Sequence, residues 1–156
     1  MKPKNPCIIM DIDGTLANAA HRLHLLPKGT HETGRAPDAS WETFFAAADG
    51  DSVHEEIRAL NNQMAERYAV FMVTGRRESQ RAQTEAWLKK HDIHYHYLIM
   101  RPDGDYRKDY EVKREILTAI RGMGFEPLFA VEDRKSVTQM WREAGLRCLQ
   151  VCEGEY

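Results

Sequence analysis

Two aspartates stand two residues apart in the run Asp11-Ile12-Asp13-Gly14-Thr15, and a second acidic pair, Glu132-Asp133, lies far downstream. Carboxylates gathered at one point repel one another and are costly unless a cation joins them. Hard oxygen ligands with an open position favour Mg²⁺. Between the two acidic pairs the chain carries Thr74-Gly75-Arg76 and Lys113, a hydroxyl and two cations suited to phosphate oxygens. Gly14 lets the backbone approach a ligand closely, and Thr74 is expected at a helix N-terminus, where anions are favoured. Such a set suits phosphoryl transfer, in which positioning and charge neutralisation do most of the catalysis.

These residues need a scaffold that delivers them to one place. Cys7-Ile8-Ile9-Met10, Ala69-Val70-Phe71-Met72-Val73, Tyr97-Leu98-Ile99-Met100, Leu128-Phe129-Ala130-Val131 and Cys148-Leu149-Gln150-Val151 are short apolar runs. Their continuity fits strands buried on both faces. Helical patterns lie between them. Ser52-x-x-Glu55 reads as a capping box opening a helix with Val53, Ile57, Leu60 and Met64 on one face. Glu78 to His91 forms a second, polar helix; Val112, Ile116, Leu117 and Ile120 mark a third; Val137, Met140 and Trp141 mark a fourth, closed by Gly145. Strand–helix–strand order implies a parallel sheet with right-handed crossovers. Open parallel sheets bind ligands beyond the carboxyl ends of their strands, and every polar motif above follows a strand. Residues 17 to about 50, with Pro27, Gly29, Gly34, Pro37 and one short aromatic helix, are too long for an ordinary loop. They read as a small helical cap inserted after the first strand, over one end of the sheet.

The chain of 156 residues suits one domain with such an insertion. With 22 Lys and Arg against 24 Asp and Glu, its net charge of −2 excludes a strongly basic nucleic-acid module. No apolar run reaches the length of a membrane span, and the N-terminus does not read as a signal peptide. Three cysteines, Cys7, Cys148 and Cys152, show no metal-ligand pairing, so reduced thiols in a cytoplasm are expected. Arg76, Arg77, Arg101, Arg107, Lys108, Arg134 and Lys135 all fall near expected strand ends, where they would make a positive mouth for a phosphorylated end.

Asp11-x-Asp13-Gly14-Thr15, Thr74-Gly75-Arg76, Lys113 and Glu132-Asp133 resemble the four ordered motifs of the haloacid dehalogenase-like (HAD) phosphatase superfamily. The runs from Gly104-Asp105-Tyr106-Arg107-Lys108-Asp109 to Lys113, and from Glu132-Asp133-Arg134 to Met140-Trp141-Arg142, Gly145, Cys148, Gln150 and Val151, are similar to the 3′-phosphatase domain of bacteriophage polynucleotide kinase/phosphatase. The resemblance implies a HAD-like Rossmannoid α/β sandwich and a Mg²⁺-dependent phosphomonoesterase acting on 3′-phosphates of DNA or RNA ends or nucleotides. It implies Asp11 as a nucleophile that becomes an aspartyl-phosphate, and Asp13 as acid and then base. It implies Mg²⁺ on Asp11, the Asp13 main-chain carbonyl and Asp133, with Thr74, Gly75, Arg76, Arg107 and Lys113 on the phosphate. Asp109, one helical turn before Lys113, would orient it. Asp13 excludes the dehalogenases and ion-pump ATPases of the superfamily, which lack an acid there. Glu132 departs from the two aspartates usual in the phage enzymes and is placed behind the metal. No G-x-x-x-x-G-K-[ST] occurs, so a kinase activity is not expected of this chain.

Other readings remain open at this point. A 5′-nucleotide or small-metabolite phosphatase would share the chemistry and differ in the cap. A receiver-like signalling domain also combines acids, a Thr and a Lys at strand ends. His21-x-x-His24 has helical spacing for a metal pair, but no partner ligands support zinc. Trp41, Phe44 and Phe45 could stack a nucleobase, although an apolar helix face is the commoner role.

Overall fold

The computed structural model describes residues 4–27 and 36–154. The first strand, β1 (Asn5–Met10), takes the middle of a sheet because its alternate residues feed two separate cores. Cys7 and Ile9 point to one face, Ile8 and Met10 to the other. The chain then leaves the sheet through β2 (Ala17–Asn18), a 3-10 turn over Ala20–Leu25 and α1 (Trp41–Ala46). It returns through β3 (Ser52–Val53), which pairs antiparallel with β2, Ala17 opposite Val53 and Asn18 opposite Ser52. These two short strands are the feet of the insertion. Gly29 and Gly34 lie outside the described residues. The described part has its own apolar cluster of Ala19, Leu26, Phe44 and Phe45. Ser40 starts α1 with a reciprocal cap: its hydroxyl accepts from the Thr43 amide at 3.1 Å and its own amide donates to Thr43 Oγ1 at 3.0 Å.

Next come α2 (Glu55–Ala65), β4 (Ala69–Arg77), α3 (Arg81–Lys90), β5 (Tyr97–Arg101), α4 (Asp109–Gly122), β6 (Phe125–Arg134), α5 (Lys135–Glu143) and β7 (Arg147–Gly154). All five long strands run parallel in the order β5-β4-β1-β6-β7. Ile57 of α2 with Trp87 and Leu88 of α3 pack beside Ile8 and Met72. Val112 and Ile116 of α4 with Val137 and Trp141 of α5 pack on the other face, beside Ile9 and Phe71. The α/β sandwich read from the apolar runs is therefore the observed one. Because β4 and β6 flank β1 on opposite sides, the direction of winding reverses at β1, which opens a crevice beyond its carboxyl end.

The expected capping box at Ser52 does not form. Ser52 is taken by the β2–β3 pair, and α2 starts at Glu55 behind His54, with no side chain capping it. Pairing at the feet of the insertion displaces the local helix signal. Strands β4 and β6 also run further than their apolar runs, carrying polar residues to Arg77 and Arg134.

Candidate active site

Asp11 follows β1 directly, and its amide still donates to Val131 O at 3.1 Å. The chain then turns tightly. Thr15 N and Ala17 N both donate to Ile12 O, at 3.1 and 2.9 Å, and Gly14 adopts a positive φ of 81° that suits glycine. This turn brings Thr15 Oγ1 to 3.1 Å from Asp11 Oδ2 and 3.2 Å from Asp133 Oδ1. Strand β6 delivers Glu132 and Asp133 from next door. The carboxylates of Asp11, Glu132 and Asp133 each offer an oxygen within 4.8 Å of the others.

Lys113 rises from α4 behind this cluster, 2% exposed. Its ammonium donates to Asp11 Oδ1 at 2.8 Å and Glu132 Oε2 at 2.9 Å, and lies 3.2 Å from Asp109 Oδ2. Three carboxylates thus take the three protons. Burial opposes the Lys113 charge, but Asp109, Asp11 and Glu132 hold its pKa well above the usual lysine value. Asp109 sits one turn earlier on α4, as expected of a residue orienting Lys113, and Arg101 Nη2 steadies it at 3.2 Å. Gly75 packs so closely that a Cβ there would lie 2.7 Å from Asp109 Oδ1. Glu132 Oε1 accepts from the amides of Asp133 and Arg134 at 3.1 and 3.2 Å, so this side chain spans Lys113 and the start of α5.

Burial, then Glu132, pushes Asp11 up to about 7. Burial also pushes Glu132 up to about 7 and, with the neighbouring Asp11, Asp133 up to about 6. Asp13 is the opposite case. Burial works against its charge, but the Arg76 and Arg22 guanidiniums hold it well below the usual carboxylate range. Arg76 donates to Asp13 from Nη2 at 2.8 Å and from Nε at 3.0 Å. Arg22, fully buried, bonds Asp13 Oδ1 with Nη2 and grips Asp51 with Nε at 2.8 Å and Nη2 at 2.6 Å. His21 Nε2 lies 2.7 Å from the same Asp51, so this histidine joins the carboxylate network.

Above these groups opens a cavity of about 560 Å³, bounded by Asp11, Asp13, Glu132 and Asp133. Trp41, Phe44 and Phe45 of the insertion form one wall. Phe44 and Phe45 are also core residues, so the apolar-face reading of α1 holds while their edges border the cavity.

The geometry therefore brings Asp11, Asp13, Gly75 and Asp133 to one cavity with Lys113 behind them. One expectation changes, and two arginines are found bonded to acids. Arg76 donates to Asp13 and Thr84 and so steadies an acid. Arg107 borders the cavity but pairs with Asp105 at 2.7 Å and Glu115 at 2.6 Å. Thr74 is buried within β4, its hydroxyl accepting from the Arg76 amide at 3.2 Å, and no helix starts there, since β4 continues to Arg77. Arg22 and Asp51 went unnoticed in the sequence: a lone arginine in an insertion and an aspartate 29 residues away carry no local mark of their pairing. The spacing of Thr15 from Asp11 was visible, but not its bridge to Asp133.

An acid pair after the first strand of a parallel sheet, a lysine from α4 and a second acid pair at the end of β6 thus meet at one place. The fold is shared with known proteins: a haloacid dehalogenase-like hydrolase from Streptococcus pneumoniae superposes with a TM-score of 0.66 at 15% identity, over 99% of this chain and 88% of that one. Residues 5–156 match the family described as the polynucleotide kinase PNKP phosphatase domain, and the chain belongs to that HAD phosphatase family. Two solved chains are similar throughout. One, from a Pnkp1/Rnl/Hen1 complex, has a TM-score of 0.79 and 29% identity over 100% of this chain and 49% of its own length. Another, from the Pnkp1/Rnl/Hen1 RNA repair complex, has 0.77 and 30% over 98% and 44%. This chain spans about half the length of those two. No helix among the described residues is long and apolar enough to cross a membrane.

Proposed function

We propose that this protein is a Mg²⁺-dependent phosphomonoesterase that removes 3′-phosphates from DNA or RNA ends or nucleotides through an aspartyl-phosphate on Asp11. The observation that carries the chemistry is the meeting of Asp11, Asp13, Glu132 and Asp133 at one cavity, with Lys113 bonded to Asp11 behind them. The 3′-phosphate rests on the family and on the similarity to a chain of an RNA repair complex.

The donor set fits the metal. Asp11, Glu132 and Asp133 gather hard oxygens whose charges are costly together, and Gly154 leaves room beside Asp133 that a Cβ would fill. Asp11, Asp133 and the Asp13 main-chain carbonyl would hold Mg²⁺, with Glu132 behind it on Lys113. Bound there, the ion supplies positive charge that lets an anionic carboxylate approach an anionic phosphate. Lys113 donates to Asp11 Oδ1 and Thr15 to Asp11 Oδ2, so the carboxylate is held in place, and the Lys113 charge lies directly behind the attacking group. Asp11 bonds to phosphorus as the ester P–O bond breaks. A substrate arriving as its monoanion brings one proton, which Asp13 passes to the leaving oxygen. In the second half Asp13, ionised between its arginines, takes a proton from the attacking water. The P–O bond to Asp11 then breaks, and the proton leaves with inorganic phosphate.

Phosphate release with Mg²⁺ and an EDTA control tests this. The panel is a 3′-phosphorylated oligonucleotide, its 5′-phosphorylated counterpart and the matching mononucleotides. Release from the 3′ end is expected. Preference for a 5′-phosphate or a small ester would replace the substrate reading, and a stable phosphoprotein without release would point to a receiver-like role.

A further inference from the structure

Tyr106 stands in the loop between β5 and α4 with 80% of its surface exposed. The other large exposed apolar side chains among the described residues, Tyr97, Met123, Leu128 and Leu149, are all less exposed, and Tyr106 alone of this group borders the cavity over Asp11. A large aromatic left in water needs a reason, and flexibility does not supply one. Arg101 Nη1 donates to the carbonyls on either side of it, Asp105 O at 3.2 Å and Arg107 O at 2.7 Å. Asp105 Oδ1 accepts from the Arg107 amide at 3.1 Å, and Asp103 at the near end of the loop accepts from Ser79 Oγ at 2.8 Å. The backbone is pinned on both flanks, so the ring is presented by a built loop. The Arg77 guanidinium lies 5.2 Å from its centroid, a cation over an aromatic face, which holds the ring from one side and leaves the rest open.

We infer that Tyr106 is a stacking platform for the base of the nucleoside whose phosphate enters the cavity. Every nucleobase has a π face, so an exposed aromatic backed by arginine gives affinity without sequence preference. This would make Tyr106 a specificity residue, separating nucleotidic phosphates from other phosphomonoesters. The inference rests on the functional reading above and adds the base to it.

The test compares two 3′-phosphorylated oligonucleotides, one with a normal terminal nucleotide and one with an abasic terminal residue. KM is measured on each for the parent, Tyr106→Ala and Tyr106→Phe. The parent is expected to show a KM for the abasic end about tenfold higher. Tyr106→Ala is expected to bring that ratio close to one, and Tyr106→Phe to keep it. A loop residue with only a structural role would move both KM values together and leave the ratio unchanged. Hydrolysis of 3′-phosphates by the parent with an unchanged ratio in Tyr106→Ala overturns the platform alone. No hydrolysis of 3′-phosphates, with release from another ester, overturns the functional reading and the platform with it.

Discussion

Asp11 and Asp13 are two residues apart and live in opposite electrostatic surroundings, one crowded by acids and one clamped by two arginines. The arginines keep Asp13 ionised, the form that can take a proton from water, while Asp11 gives up its proton readily only once a cation joins the acids around it. Asp11→Asn is expected to abolish phosphate release. The fold should survive, because the change removes a buried charge that is costly without metal, so the melting temperature in EDTA should match or exceed that of the parent. Release at the parent rate would remove Asp11 as nucleophile. Arg22→Ala strips a buried guanidinium from Asp13 and Asp51 and is expected to cost about 3–5 kcal/mol in urea unfolding. Arg22→Lys should recover little of this, since one ammonium cannot reproduce the fork that reaches both acids. Asp11, Asp13, Lys113 and Asp133 stood out in the sequence only through their company and order after apolar runs, and the fold brings them together. Arg22 and Asp51 did not stand out, because their meaning arises only when the insertion folds back over β1.

Strands and helices were legible wherever apolar periodicity was strong, and the core-facing helices α4 and α5 lie where their spacing put them. Strand ends were less so. Polar residues such as Thr74 and Glu132 extend β4 and β6 because neighbouring strands supply ladder partners, a property invisible in the segment itself. Ser52 failed as a cap for the same reason: a partner strand outcompeted a local hydroxyl. The end of β7 bears directly on the site. A Cβ at Gly154 would overlap Asp133 Oδ2 and lie 3.0 Å from the Asp133 backbone carbon, so the backbone cannot yield and the carboxylate must turn away. Gly154→Ala is expected to weaken Mg²⁺ binding about tenfold or more, read as a higher Mg²⁺ concentration for half-maximal thermal stabilisation. An unchanged midpoint would mean that Asp133 is not a ligand.

For the molecule as a whole, the acidic cluster links stability to pH. In the folded protein Asp11 and Glu132, with pKa values near 7, and Asp133, near 6, hold protons that the unfolded chain has already lost. Their contribution is full below the ordinary carboxylate range and disappears as pH rises through 6 to 7. Asp13 and Asp109, depressed by their cations, stabilise above that range and add no slope here. Without metal, the melting temperature should therefore be higher at pH 5 than at pH 8. Saturating Mg²⁺ should raise the pH 8 value and flatten the difference, because the ion replaces the missing protons. A metal-free melting temperature that climbs with pH would contradict the cluster. The Arg22 clamp has a consequence of another kind. It joins the insertion to the loop after β1 through Asp13, while Asp51, beside β3, holds the other edge of the same guanidinium. Swinging the described part of the insertion outward would tear a buried cation from two anions, so that part is latched across its own hinge. Where α1 borders it, the mouth keeps its width, and selection there falls to what can thread through rather than to a lid that closes behind.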